Sequence, residues 1–156
     1  MKSEIIYKNS STWRGRWGDE RGREIVIFAD FSNPSNWPFN VECYDIEYDE
    51  DYKEIKTLTS KTKLSKELFN KLKNIIASNK EITGFNDHAQ NNVMDGSNDS
   101  FYFCCDAFSK SVYGLSILSV GRYELEDRKA KSVNYYTFKM VDEIEKALEQ
   151  AGISLY

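Results

Sequence analysis

Glu24-Ile25-Val26-Ile27-Phe28-Ala29-Asp30-Phe31 is the stretch on which the fold turns. β-Branched and aromatic side chains fill it almost without a break, and it is too short for a core helix. Its nearly continuous apolar character predicts a central strand covered on both faces. Working towards the N-terminus, 3–8 reads as a short first strand. Segment 11–23 holds Trp13, Arg14, Gly15, Arg16, Trp17 and Gly18, with a second strand in the Trp-x-Arg alternation and a turn at Gly18-Asp19-Glu20. Towards the C-terminus, Asn, Ser and two Pro in 32–38 predict a loop. Segment 39–48 alternates as a strand, 49–54 is its exposed end or a turn, and 55–59 continues as a short strand.

The periodicity then changes. Leu68, Phe69, Leu72, Ile75 and Ile76 mark one face of a helix, with Lys66, Lys71 and Lys73 off the stripe. Ser65 is placed to cap its first turn, Leu64 and Phe69 stand at staple positions, and Asn79 ends it. Residues 80–99 form a long polar stretch. Segment 100–108 reads as a strand and 112–120 as its antiparallel partner, joined tightly at Ser109-Lys110. Residues 121–132 are charged and leave the sheet. A last helix over about 134–151 carries Phe138, Val141, Ile144, Leu148 and Ala151 inward. Gly152 is suited to a left-handed C-terminal position, and Ile153 folds back on Leu148. Strand groups separated by single helices lack the regular alternation of a doubly wound sheet. The expected class is α+β, a mainly antiparallel sheet with two amphipathic helices packed on one face, in a single domain over 1–156.

Composition bounds the function. The chain has 156 residues, 40% of them apolar and 29% charged, enough for a packed core. The net charge of −4 disfavours wholesale nucleic-acid binding. The charge is unevenly spread: 1–23 holds six Lys/Arg against three Asp/Glu, and 42–54 holds seven Asp/Glu against one Lys. Three cysteines, Cys43, Cys104 and Cys105, have no CxxC spacing, which points to a reducing compartment. With no apolar signal core and no membrane-length run, the expected location is cytoplasmic.

Four places could carry function. In the acidic strand, Tyr44, Ile46 and Tyr48 fall on one face, Asp45, Glu47 and Asp49 on the other, with Glu50 and Asp51 beyond. This row is either a solvated sheet face or a docking surface for a basic partner. Carboxylates can also hold hard cations, but EF-hand spacing is missing. Second, Trp13, Arg14, Arg16, Trp17, Arg21 and Arg23 suit a binding hot spot or contacts to bases and phosphates. They are equally consistent with buried indoles and snorkelling arginines, or with pairing to the acidic strand. Third, the polar stretch holds Asp87, the single histidine His88, Asp95 and Asp99, with no nucleophile marked by spacing. Fourth, Cys104 and Cys105 should point to opposite faces of a strand, at least one as a buried small hydrophobe. No GxSxG, HExxH, Walker A or GxGxxG pattern occurs.

Asp95-Gly96 opening onto Phe101-Tyr102-Phe103, then Gly114-Leu115-Ser116-Ile117-Leu118, then a helix closing with Leu148 through Gly152, resembles a module of small bacterial α+β domains of mostly unknown function. Some of these look like immunity proteins that neutralise toxins of competing bacteria. The resemblance covers about residues 82–153. Its members often carry Trp after the Asp-Gly turn, where this chain has Phe and Tyr, and no functional residue carries over.

The resulting expectation is a non-enzymatic binding protein, with no cofactor and no metal. Its expected partner is another protein, most concretely a basic toxin domain, met by Asp45, Glu47, Asp49, Glu50 and Asp51 with Tyr48 and Tyr52 as aromatic anchors. A nucleic-acid module built on Trp13, Arg14, Arg16 and Trp17, and a hydrolase with its site in 84–99, are the alternatives.

Overall fold

The apolar stretch around residues 25–28 lies within β2 (Glu20–Asp30), flanked by β1 (Ser3–Arg14) on one side and β3 (Phe39–Tyr48) on the other. A computed structural model of the protein describes residues 3–14, 19–92, 96–126 and 131–155. Four long strands run as consecutive antiparallel neighbours, ending in β4 (Glu54–Lys63) at one sheet edge. The chain then passes through helix α1 (Lys66–Ala77), a 3-10 turn at Lys80–Gly84 and the two-residue β5 (His88–Ala89). It returns as β6 (Asn98–Cys104) on the free side of β1, and β7 (Ser109–Leu115) follows. Helices α2 (Ile117–Glu126) and α3 (Val133–Gln150) complete an α+β fold. The seven-stranded sheet has the order β4-β3-β2-β1-β6-β7-β5 and is antiparallel except where β5 joins β7.

Ile25, Ile27 and Ala29 are buried, and they share one core with Tyr7, Val41 and Phe103 of neighbouring strands. Phe69, Leu72 and Ile76 of α1 enter that core together with Met140, Val141, Ile144 and Leu148 of α3. Each such aliphatic or aromatic side chain contributes about 1.5–3 kcal/mol by leaving water. Val26 and Phe28, on the alternate positions of β2, are only half-buried, so the stretch is not covered equally on both faces. Antiparallel sheets tolerate this because one face can be solvated. On those alternate positions Glu24 is 5% exposed, held by Lys56 at 3.0 Å and Lys8 at 3.6 Å.

The helix ends follow their local chemistry. Ser65 Oγ accepts from the Leu68 N–H, and Leu64 and Phe69 are both buried in the core. Asn79 does more than stop α1. Its Nδ2 donates to the Ile75 carbonyl at 2.7 Å, and its Oδ1 accepts from Lys139 Nζ at 2.8 Å, tying α1 to α3. At the end of α3, Gly152 adopts φ +79°. The Ile153 N–H reaches the Leu148 carbonyl and the Gly152 N–H that of Glu149, the Schellman arrangement.

Several boundaries differ from the sequence expectation. β1 is one strand of twelve residues, its register shifting between Ile5 and Tyr7 so that Ile6 and Tyr7 are both buried. β4 runs to Lys63 and is almost wholly exposed. An edge strand needs no apolar face, and its lysines and register shift discourage pairing with another chain. Residues 117–126 are helical rather than strand and charged exit, giving three helices where two were expected. Gly121 makes this possible, since a Cβ there would sit 2.6 Å from that of Phe138 on α3. Phe138 accordingly faces α2, with Arg122 over its ring, and Ala151 is exposed, not inward. The β6–β7 connection is 105–108, closed by Cys105 N–H to the Phe108 carbonyl, and Ser109-Lys110 already belong to β7. Gly15, Arg16, Trp17, Gly18 and Asp95 lie outside the described residues.

Candidate functional site

The acidic strand and the arginine-bearing strand, read separately in the sequence, are neighbours in exact register. Arg21 is opposite Glu47 and Arg23 opposite Asp45 between β2 and β3. On the other side of β2, Trp13 is opposite Arg21 and Ser11 opposite Arg23. Two rows of side chains result, Trp13–Arg21–Glu47–Ile55 at the strand ends and Ser11–Arg23–Asp45–Thr57 one step in. Opposite charges directly across a sheet contribute about 0.2–1 kcal/mol each. Arg21 also donates through Nε to Asp19 at 2.8 Å, which holds the Asp19 carboxyl below and the guanidinium above their ordinary values. Asp45 and Glu47 are thus exposed carboxylates with arginines beside them, not a bare acidic row.

The β3–β4 connection carries the other expected contacts. Asp49 Oδ1 accepts from the Asp51 N–H at 2.9 Å and the Lys53 N–H at 2.8 Å, so this carboxylate folds the loop. Glu50 and Asp51 stand in solvent. Tyr52 has φ 59° and is 85% exposed. A bulky residue in the left-handed region is uncommon. Tyr48 is on the face opposite Asp45 and Glu47, the face that Tyr44 shares, and lies across from Glu54. Burial, then the charges of Glu54 and Glu20, raise its phenol above the ordinary value. The seven expected residues therefore divide between two faces and the loop that joins them.

A cleft of about 300 Å³ opens beside the arginine rows, and the sequence reading missed it. Its floor is Ile25, Phe101 and Leu118, and its walls include Asn9, Ser11, Arg23 and Asp99, with Trp13 at 41% exposure. Asp99 is 5% exposed. One of its oxygens accepts from Ser11 Oγ at 2.6 Å and the other from the Ile117 N–H at 3.2 Å, where α2 begins. A carboxylate is favoured at that helix end. Asn9 sits between Phe101 and Ile25 in an otherwise apolar row. Its Oδ1 is buried and meets no hydrogen-bond donor among the described residues. An unsatisfied buried amide oxygen costs about 1–3 kcal/mol. The available signal was the alternation Tyr7, Asn9, Ser11, Trp13, which puts polar groups where a core row would be apolar.

The polar stretch is anchored. Lys110 Nζ, 8% exposed on its side chain, contacts Asp87 at 2.7 Å and donates to the Phe85 carbonyl. His88 is exposed and stacks on Tyr113 with centroids 4.9 Å apart. Asp99 is the second residue of β6, opposite Ser11 of β1. Cys43, Cys104 and Cys105 are free thiols, Cys105 buried and Cys104 half-buried, as expected for adjacent strand-end residues. Among the described residues no group of three or more His, Cys, Asp or Glu is placed to hold a metal ion. Nor, among them, is any helix long and apolar enough to cross a membrane.

Compared with known proteins, the chain matches no family model and no curated protein.

Proposed function

We propose that the protein is a non-enzymatic bacterial binding protein of the cytoplasm that contacts a basic protein partner through the β3–β4 end of its sheet, as an immunity protein contacts a toxin. The observation that carries this reading is Tyr52, an aromatic ring held 85% exposed on a left-handed backbone between Asp51 and Lys53. Aromatic anchors ringed by charge are the usual centres of binding energy in protein interfaces. Asp45 and Glu47 share their charge with Arg23 and Arg21, so the weight of the acidic contact moves to Glu50 and Asp51. In this reading α1 and α3 cover one face of the sheet, and the β3–β4 connection from Asp49 to Tyr52 stays exposed. A toxin that grips nucleic acid is basic at its site, and a carboxylate-rich loop seated there excludes substrate without chemistry of its own.

The test begins with a partner retrieved from cells that make the protein. Co-expression should relieve the partner's toxicity. Glu50→Lys with Asp51→Lys should slow association roughly tenfold at low salt and flatten its salt dependence. Tyr52→Ala should mainly speed dissociation. Kinetics unchanged in both variants would remove the hairpin from the interface. A second reading, a nucleic-acid module, draws on Trp13 and Arg14, both exposed at the end of β1. Titration with single-stranded DNA or RNA at low salt tests it, and absence of binding there rejects it.

A further inference from the structure

The β3–β4 hairpin has a second end, and its chemistry is the complement of the Tyr52 turn. Asn40 lies opposite Lys63 there, at the far end of β4 from Glu54. The 31–38 loop closes on the same end, with the Asp30 N–H bonded to the Pro38 carbonyl and the Asn36 N–H to that of Asn33. It holds two aromatic rings outward. Phe31 is 40% and Trp37 48% exposed, and both meet Phe39 edge-on, with centroids 5.8 and 5.9 Å away. The Trp37 indole is fixed further by Nε1, which donates to the Leu64 carbonyl at 2.8 Å. Rings held this way lose little freedom on being covered. Lysines flank them, since residues 61–73 carry five Lys against one Glu. Lys61 is matched by Glu42 at 3.7 Å, and Lys73 by Glu4 and Asp106. Lys63 and Lys66 are exposed and form no ion pair among the described residues. The Asp30 carboxylate near Lys61 accepts from the Ser32 N–H at 2.9 Å.

We propose that this aromatic, lysine-flanked end binds a second copy of the chain, taking the Tyr52 end of its neighbour's hairpin. One exposed ring beside Glu50 and Asp51 meets two exposed rings beside Lys63 and Lys66. Ring contacts supply the apolar centre, and the four charges form its rim. A single molecule cannot join its own two ends. Ten paired residues at about 3.3 Å each set them about 30 Å apart. Sideways pairing through β4 would bring the lysines of two copies together. An end-to-end contact avoids this, and repeated without a closing rotation it gives a linear chain of copies. Only a few residues meet on each side, against about 20–30 in a stable interface, so association is half-complete at about 0.1–1 mM protein. Self-association of this kind does not depend on a toxin partner, and where one exists the two compete for the hairpin.

The experiment is sedimentation velocity on the full chain alone, from about 20 µM to about 1 mM, at low and at high salt. The expected result is a weight-average coefficient that climbs with concentration through dimer and beyond, and climbs less in high salt. Glu50→Lys with Asp51→Lys makes both ends basic, and Lys63→Glu with Lys66→Glu makes both ends acidic. Each variant alone should stay monomeric, and an equimolar mixture of the two should associate again. Trp37→Ala should abolish the climb. If it fails to fold, Tyr52→Ala in the exposed turn should do the same. A parent chain that stays monomeric, association that stops at a closed dimer or survives in either charge variant or in Trp37→Ala, or a mixture that stays monomeric would overturn the assignment. So would a monomeric chain that takes up oligothymidylate or polyglutamate through Lys63 and Lys66, which gives that end to nucleic acid or to an acidic protein. None of these outcomes touches the toxin reading, which is measured with the partner present.

Discussion

Arg23 of β2 lies directly opposite Asp45 of β3, and two residues along the same strands Arg21 lies opposite Glu47. The basic and acidic segments of the chain thus meet on one face of the sheet. Partner steering and sheet stability draw on the same charges, and substitutions can separate the two.

Asp45→Lys places a cation across from Arg23, and Glu47→Lys does the same across from Arg21. Each should lower stability by about 1 kcal/mol, since like charges directly opposite are unfavourable. Asp51→Lys, in the solvated loop, should stay within about 0.5 kcal/mol of the parent. Urea midpoints at low salt would show the difference. Equal effects at 45 and 51 would mean that the arginines do not feel the strand carboxylates.

Tyr52 offers a separate test of strain against function. Its φ of 59° suits glycine, and the ring is 85% exposed. Tyr52→Gly should raise stability by about 1 kcal/mol, because the left-handed conformation costs an L side chain roughly that much. The same change should weaken partner binding by removing the aromatic anchor. A variant that loses stability would show that the ring supports the hairpin.

Lys110 and Asp87 hold the 85–89 segment to the sheet. Asp87→Ala leaves the buried ammonium with the Phe85 carbonyl alone and should cost about 1–3 kcal/mol. Lys110→Met removes the charge as well and should cost less. Thermal unfolding of both variants ranks them. The reverse order would show that the lysine stem, not its charge pairing, fixes the segment.

The alkaline limb of stability should be steep. Lys73 is raised above its ordinary 10.5 by its hydrogen bond to Glu4, outweighing burial, with Asp106 adding to it. Burial acts to lower Lys56, but Glu24 and Glu54 together outweigh it and the net shift is upward. Tyr44 is raised from 10.0 by burial and then by Glu42. In each case the folded state holds its proton more tightly than the unfolded chain. The stabilisation is complete below about pH 10 and is lost as the pH climbs through the raised folded values. Urea midpoints should be flat from neutrality to about pH 9 and fall beyond pH 10, together with tyrosinate absorbance. A fall that begins near neutrality would point to other groups.

Much of the helical part was legible because its signals are local. Ser65, Leu64, Phe69, Gly152 and Ile153 act within one or two turns, and their geometry follows from sequence neighbours. The strand alternation of Tyr44, Ile46 and Tyr48 against Asp45 and Glu47 is equally local, and the sheet keeps it. β4 and α2 were less legible. β4 is an exposed edge held by pairing to β3, and α2 depends on the close approach of Gly121 to α3, so neither announces itself by an apolar run.

By itself, the sequence determined which faces its strands and helices would present, because side-chain period is a property of the local backbone. It also determined that carboxylates and arginines would be concentrated in two segments. Only the tertiary structure decided that β6 returns beside β1, since that pairing joins residues some ninety positions apart, such as Ser11 and Asp99. Pairing at that range is set by which arrangement buries the most apolar surface with its polar groups satisfied, a property of the whole chain. From it follows the cleft around Asn9, where β1 and β2 meet β6 and the start of α2.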